Sequence, residues 1–295
     1  MGSPSSTDAA GSRALPRDEM LVAMSPRERT PTTVRARREP PRFRLVAVRR
    51  VVPVTPRMVR VTLTGHELGG LTVEHPAASV RLLLPSPGAQ ELVIPSWHGN
   101  EFLLPDGRRP VLRTLTPRPV DTEPLDLDLD IVIHADGAVS EWAAAAEPGE
   151  PAAISGPGRG YAIDPDAHAF LLAGDETAIP AISQLLETLP AARPVQLYIE
   201  VAHPDARLPL PAHPRATVEW CDLPPGATPG DVLVAAVRNA DLAPGTRVWA
   251  AGEAAAMQRI RRHLFVDGGL PRAHATVRGY WKHGRSADTR TTPEP

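Results

Sequence analysis

Cysteine is almost absent: Cys221 is the single thiol among 295 residues. One thiol closes no intramolecular disulfide and ligates no iron–sulfur cluster, and its solitude fits a reducing compartment. A charge of one sign is missing too. The 32 Lys and Arg against 34 Asp and Glu leave a net charge of −2, so no global field points to nucleic acid. No apolar run is long enough to span a bilayer, and the N-terminus lacks the apolar core of a signal peptide. The expectation is a cytoplasmic protein without a membrane partner. No His, Glu and Cys cluster has metal-ligand spacing, so no bound metal is expected. Proline, in contrast, is abundant at 35 residues, and many prolines fall between candidate elements. The length suffices for two domains, each with a sizeable core.

Residues 1–40 read as a disordered basic leader. "MGSPSSTDAAGSRALPRDEM" is small and polar, and "RERTPTTVRARREPPRFR" is rich in arginine without apolar periodicity. Met20 and Met24 offer alternative starts. From 41 to 156 the pattern is that of strands: "RLVAVRRVVPVT", "RMVRVTLTG" and "SVRLLLP" are β-branched and bounded by Pro or Gly. In "LDLDLDIVIHA", Leu125, Leu127, Leu129, Ile131 and Ile133 alternate with Asp126, Asp128 and Asp130. That is the period of a half-buried strand, with the aspartates on its wet face rather than on a metal. Several antiparallel strands in this length predict a small β-barrel. From 157 to 286 strand and helix alternate: "AFLLAGD", "ETAIPAISQLLETLP", "PVQLYIEVA", "ATVEW", "GDVLVAAVRNA", "RVWAAG", "EAAAMQRIRRHLFVD" and "HATVRGYW". This order predicts a doubly wound α/β domain with a parallel sheet. Residues 287–295 read as a tail.

Four segments could carry chemistry. In "RTLTPR", Arg113 could clamp a phosphate and Thr116 could meet a heteroaromatic edge, although a surface strand with two arginines explains the segment as well. In "HADGAVSEWAAAA", a strand ending at His134 turns at Asp136-Gly137 into a helix starting near Ser140. Its free N–H groups suit a pyrophosphate; equally, Ser140 caps the helix and Trp142 is core. In "LLAGDETAIPAI", a buried strand enters a turn at Gly174, where a doubly wound domain places dinucleotide phosphates. Asp175 and Glu176 there suit the helix dipole but repel phosphate, so contacts must come from backbone N–H groups and Thr177. A second such turn lies at Gly252-Glu253. The chain then brings Tyr280, Trp281, Lys282, His283 and Arg285 together near its end.

In this order the segments resemble the siderophore-interacting protein family, flavin-dependent ferric-siderophore reductases related to the ferredoxin–NADP reductase superfamily. The resemblance covers roughly residues 40–286. It rests on Arg113–Arg118, His134–Gly137 with Ser140 and Trp142, "AGDETAIPA", "AGEAAAM" and "GYWKHG". It implies an FAD-binding barrel followed by an NADPH- or NADH-binding domain. Arg113 would hold FAD phosphate, Thr116 would face the flavin edge, and His134 with Gly137, Ala138 and Ser140 would form the pyrophosphate turn. Gly174, Asp175, Glu176, Thr177, Gly252, Glu253 and Ala254 would frame the nicotinamide nucleotide, beside Tyr280 and Trp281. Lys282 and Arg285 would receive an anionic ferric siderophore, with Arg278 as a further cation. The implied protein is a monomer.

Two positions depart from the family pattern. Leu115 stands where the family has a tyrosine that stacks on the isoalloxazine, a loss on the order of 1 kcal/mol. Ala138 stands where proline is common. Two other readings therefore stay open. One is a flavin oxidoreductase of the same fold that reduces an organic acceptor or supplies reduced flavin. The other is a non-catalytic siderophore- or nucleotide-binding module. The choice of nicotinamide nucleotide is not settled: Glu200, ending the second sheet strand, favours a free ribose 2′-hydroxyl, whereas Arg207 suits a 2′-phosphate.

Overall fold

The computed structural model describes residues 42–99, 101–134 and 137–284, together with Met1. The leader 1–40, the tail 287–295, Arg285 and Asp136 therefore lie outside the described residues. In chain order the strands and helices are β1 (Phe43–Thr55), β2 (Met58–Thr64), β3 (Val80–Leu84), β4 (Ser96–Trp97), β5 (Phe102–Leu103), β6 (Val111–Leu115), β7 (Asp121–Thr122), β8 (Leu125–Val132), α1 (Ala138–Ala145) and β9 (Pro151–Ser155). They continue with β10 (Ala169–Asp175), α2 (Ile179–Thr188), β11 (Val195–Val201), β12 (Ala216–Asp222), α3 (Asp231–Asn239), β13 (Thr246–Glu253), α4 (Ala254–Arg262) and β14 (Ala275–Trp281).

Among the described residues, the N-terminal half forms a seven-stranded antiparallel sheet ordered β6-β3-β9-β1-β2-β8-β7. A bridge between Pro117 and Leu129 joins the β6 end to β8, and Arg118 N–H donates to Asp128 O across the same seam. The sheet thus closes on a core of Val61, Leu63, Leu82, Leu127, Leu129 and Ile154, all fully buried. Alternation along β8 supplies two of these, Leu127 and Leu129, as the period of two requires.

The aspartates of β8 correct the expectation of a plain wet face. Asp126 and Asp130 are buried. Asp126 accepts from Arg49 at 3.0 Å, Asp128 from Thr62 Oγ1 at 2.5 Å, and Asp130 from Arg60 at 2.7 and 2.9 Å. Register explains the pairing: Thr62 lies opposite Asp128 and Arg60 opposite Asp130. Cross-strand partners of opposite charge are the cheapest way to satisfy a carboxylate on a crowded sheet face.

The C-terminal half is a five-stranded parallel sheet ordered β12-β11-β10-β13-β14. The order reverses between β10 and β13, the switch point at whose carboxyl ends doubly wound sheets place a ligand crevice. The sheet is covered on both faces. Leu171, Ala173, Val248 and Ala250 pack under α3 and α4, while Leu172, Leu197, Ile199 and Trp249 pack with α2 residues. That second cluster also takes Met58, Ala77 and Tyr161 from the first half, so it reaches across to the antiparallel sheet beside that sheet's own core. Among the described residues no helix is long and apolar enough to cross a membrane.

Candidate functional site

The crevice at the β10/β13 switch is built around one carboxylate. Asp175 accepts from Thr177 N–H at 3.0 Å, Thr177 Oγ1 at 2.5 Å, Glu253 N–H at 2.9 Å and Trp281 Nε1 at 2.7 Å. Burial pushes its carboxyl up, against the lowering effect of the Thr177, Trp281 and Glu253 bonds. It therefore knots the ends of β10, β13 and β14. Both flanking glycines are obligatory. A Cβ on Gly174 would stand 2.4 Å from Ala178 Cβ and 2.8 Å from Ala251 O. A Cβ on Gly252, at φ +154°, would stand 2.5 Å from Asp175 Oδ2. Both Cβ positions are filled by the protein's own atoms, so the two strand ends can pack together only through glycine. Glu253 also caps α4 by accepting from Ala256 N–H, and accepts from His283 N–H at 3.2 Å.

An extra residue in β14 opposite Gly252–Glu253 shifts the register, so that Trp281 rather than Tyr280 pairs with Glu253. Bulges re-aim side chains in this way. Trp281 reaches Asp175, while Tyr280 lies near Thr116, just past the end of β6. Partial burial raises the Tyr280 hydroxyl pKa, and the nearby Thr116 hydroxyl lowers it in part. Tyr280 also meets the buried Trp249 edge-on at 6.4 Å. The strand named as the flavin contact and the C-terminal aromatics thus face one another.

Three polar contacts fix that apposition. Glu176 accepts from Arg57 Nε at 2.9 Å and from Ala202 N–H at 2.7 Å. Gln184, buried on α2, donates to Pro117 O at 2.5 Å and accepts from Ala77 N–H at 2.8 Å. Arg278 donates to the carbonyls of Ala77, Arg159 and Gly160 at 3.3–3.4 Å. Glu176 and Arg278 are therefore spent on joining the two sheets, not on a ligand. Sequence reasoning missed Gln184 and Arg57 altogether, because nothing local marks a residue whose partners lie 67 and 119 positions away.

On the barrel side, Arg113 donates to Leu112 O at 3.0 Å and Leu115 packs against the barrel core. The expected helix starts earlier than Ser140. Gly137 is the N-cap and offers no side-chain cap to α1. Ser140, one turn in, is no cap at all: its Oγ accepts from His134 N–H at 2.7 Å and donates to His134 O at 2.8 Å. With its proton committed, this hydroxyl has none to donate to a pyrophosphate. A Cβ on Gly137 would lie 2.7 Å from Cε1 of the exposed His134 ring, which can swing aside. Trp142 packs against the barrel core and donates to Glu150 at 2.9 Å. α1 abuts β6, the strand of Arg113. An uncapped helix start beside an arginine-bearing strand suits a pyrophosphate.

Glu200 is not a ribose ligand in waiting. It is 4% exposed and accepts from Gly230 N–H at 2.6 Å and Leu233 N–H at 3.1 Å, capping α3 from below. Burial pushes its carboxyl up, the two N–H bonds pull it back, and the Asp175 and Asp231 charges raise it further. A carboxyl raised in the folded state binds more protons folded than unfolded, so its contribution to stability falls as pH rises through the raised value. The melting-temperature advantage of the wild type over Glu200→Gln is therefore expected to be largest near about pH 4 and to shrink toward about pH 7. Calorimetry across that range checks it; an advantage that grows with pH contradicts the assignment.

Lys282 is exposed next to Trp281. Comparison with known proteins then decides the family. A model described as the siderophore-interacting FAD-binding domain matches residues 47–161, and one described as siderophore-interacting protein matches residues 167–284. The chain belongs to the siderophore-interacting protein family. The structure of a siderophore utilization protein from T. fusca is 36% identical, with a TM-score of 0.74, over 84% of this chain and 95% of that one. The siderophore-interacting protein SipS from Aeromonas hydrophila is 30% identical, with a TM-score of 0.69, over 83% and 94%. The ferric vibriobactin reductase ViuB of Vibrio cholerae is 27% identical over 80% of this chain and 88% of its own. The resemblance read from the motifs holds, and so does the antiparallel-then-parallel fold.

Proposed function

We propose that this family member is an FAD-dependent NAD(P)H:ferric-siderophore reductase of the cytoplasm, with an FAD-binding unit at 41–156 and an NAD(P)H-binding unit at 157–286. The observation that carries the reading is the hydrogen bond that buried Gln184 of α2 donates to Pro117 O at 2.5 Å, next to Thr116. It sets the β6 segment against the carboxyl edge of the parallel sheet, so one crevice serves both dinucleotides. Kinship with ViuB, named a ferric vibriobactin reductase, supports the substrate class.

Bound FAD would supply the passage from two-electron hydride chemistry to single-electron reduction of iron(III). The protein's part is positioning. Arg113, with the N–H groups of α1 after Gly137, would bind the FAD pyrophosphate. Thr116, buried beside Tyr280, would present its hydroxyl to the flavin edge. The turns at Gly174 and Gly252 would frame the nicotinamide nucleotide, with Thr177 and Ala254 flanking it. The acidic charge of the first turn does not oppose this, since Asp175 is saturated by donors and Glu176 is paired with Arg57. Lys282 would draw an anionic ferric complex to the exposed rim. Iron(II) binds hard oxygen ligands less tightly than iron(III), so reduction frees the metal without any inner-sphere protein ligand.

The test is the visible spectrum under anaerobic conditions. A yellow protein should bleach with NADH or NADPH and recolour on adding a ferric siderophore. Bleaching without recolouring would move the assignment to an organic acceptor, and a protein colourless even after incubation with FAD would leave a binding module. Leu115→Tyr should tighten FAD binding by about 1 kcal/mol, roughly fivefold in Kd. Flavin-fluorescence titration measures it; an unchanged Kd would mean that Leu115 does not cover the ring.

A further inference from the structure

In a doubly wound sheet the adenosine ribose lies beyond the carboxyl end of the second strand, where the side chains present sort a free 2′-hydroxyl from a 2′-phosphate. Here that strand is β11, beside β10. Its terminal carboxylate, Glu200, is consumed by α3. The exposed charged or titratable groups that follow are His203, Asp205 and Arg207, with Asp222 on the adjoining strand. Asp222 ends β12 and pairs in register with Val201, the last residue of β11. Leu223 N–H donates to Val201 O at 2.9 Å, holding the two ends together. A short turn, Pro204–Ala206, then delivers Arg207, whose Nη2 donates to Asp222 Oδ2 at 2.5 Å. His203 Nδ1 accepts from Asp205 N–H at 3.2 Å, capping the turn. The place thus holds a cation fit for a phosphate, already matched by a carboxylate.

We propose that Asp222 is a specificity-determining residue: by holding Arg207 in an ion pair at the end of β11, it turns the nucleotide site toward NADH and away from NADPH. The inference rests on the NAD(P)H-binding reading of the crevice. A 2′-phosphate arriving here must pull Arg207 off Asp222 and then sit beside the displaced carboxylate, anion against anion. A 2′-hydroxyl meets no such opposition and can donate to the carboxylate. Removing the negative charge while keeping the side-chain shape should release Arg207 to phosphate.

The probes are 5′-AMP and adenosine 2′,5′-bisphosphate, which differ by the 2′-phosphate alone, titrated calorimetrically into the purified protein. The wild type should bind 5′-AMP at least as tightly as the bisphosphate. Asp222→Asn should shift the affinity ratio about tenfold toward the bisphosphate, the scale of a charge-assisted arginine–phosphate contact. The double variant Asp222→Asn/Arg207→Met should lose that gain. The pair is exposed, with side chains 38% and 44% accessible, so the variants should fold, and melting curves verify it. The NADPH-to-NADH ratio of kcat/KM should move in parallel. An unchanged ratio in Asp222→Asn, or a gain that survives loss of Arg207, overturns the inference while leaving the nucleotide site standing. Failure of the wild type to bind either probe overturns the NAD(P)H reading and this inference with it.

Discussion

Asp175→Ala is expected to lower stability by about 3–4 kcal/mol, or roughly 6–15 °C in melting temperature for a unit of this size. The carboxylate accepts four hydrogen bonds. Alanine strands the buried N–H of Glu253 and takes the acceptor from the half-buried Nε1–H of Trp281, and a buried orphan costs about 1–3 kcal/mol. Thr177, half-buried, can recover water. One effect opposes the loss: burial already disfavours the ionised carboxylate, so its removal returns part of that penalty. Two stranded donors outweigh it. Asp175→Asn should fall between, since its amide oxygen still accepts but its NH₂ confronts donors. Thermal unfolding measures the fall. Trp281 emission should shift to the red as well, read by difference against Trp281→Phe because the chain has five tryptophans. A loss under about 1 kcal/mol would mean that water replaces the carboxylate without cost and that the knot is not structural.

Arg57→Ala comes next, at about 2–3 kcal/mol. Removing one partner of a buried pair costs about 3–5 kcal/mol because the other charge is left alone. Glu176 is that charge, with its side chain 8% accessible. Arg57 is 37% accessible, so water reaches the site and reduces the figure. The diagnostic is the double variant. Glu176→Gln removes the charge yet keeps an oxygen for Ala202 N–H, so Arg57→Ala/Glu176→Gln should be more stable than Arg57→Ala alone. A double variant no better than the single would assign the loss to packing of the arginine stem rather than to an orphaned carboxylate.

Local pattern made much of this legible. The alternation of Leu125 to Ile133 marks β8 and its inward face, because a strand can bury one side only with period two. The buried run before Gly174 and that before Gly252 mark parallel strands entering tight turns, and the structure puts both turns at one crevice. Spacing failed where a side chain has two uses. Asp126 and Asp130 look solvent-facing until Arg49 and Arg60 are laid beside them. Ser140 looks like a cap until the helix is seen to start at Ala138. Glu200 looks like a ribose ligand until Gly230 and Leu233 claim it.

The sequence by itself determined the family, the order of an antiparallel before a parallel sheet, and the two glycine turns. These depend on residue types at short spacing, where backbone geometry and periodicity act locally. Only the tertiary structure decided which polar groups remain available for a ligand. Asp175, Glu176, Glu200 and Arg278 are consumed by partners far away in the chain, and Gln184 and Arg57 join sheets that no local pattern connects. A buried polar group must find a partner wherever the fold supplies one, and which partner that is becomes fixed only when distant strands meet.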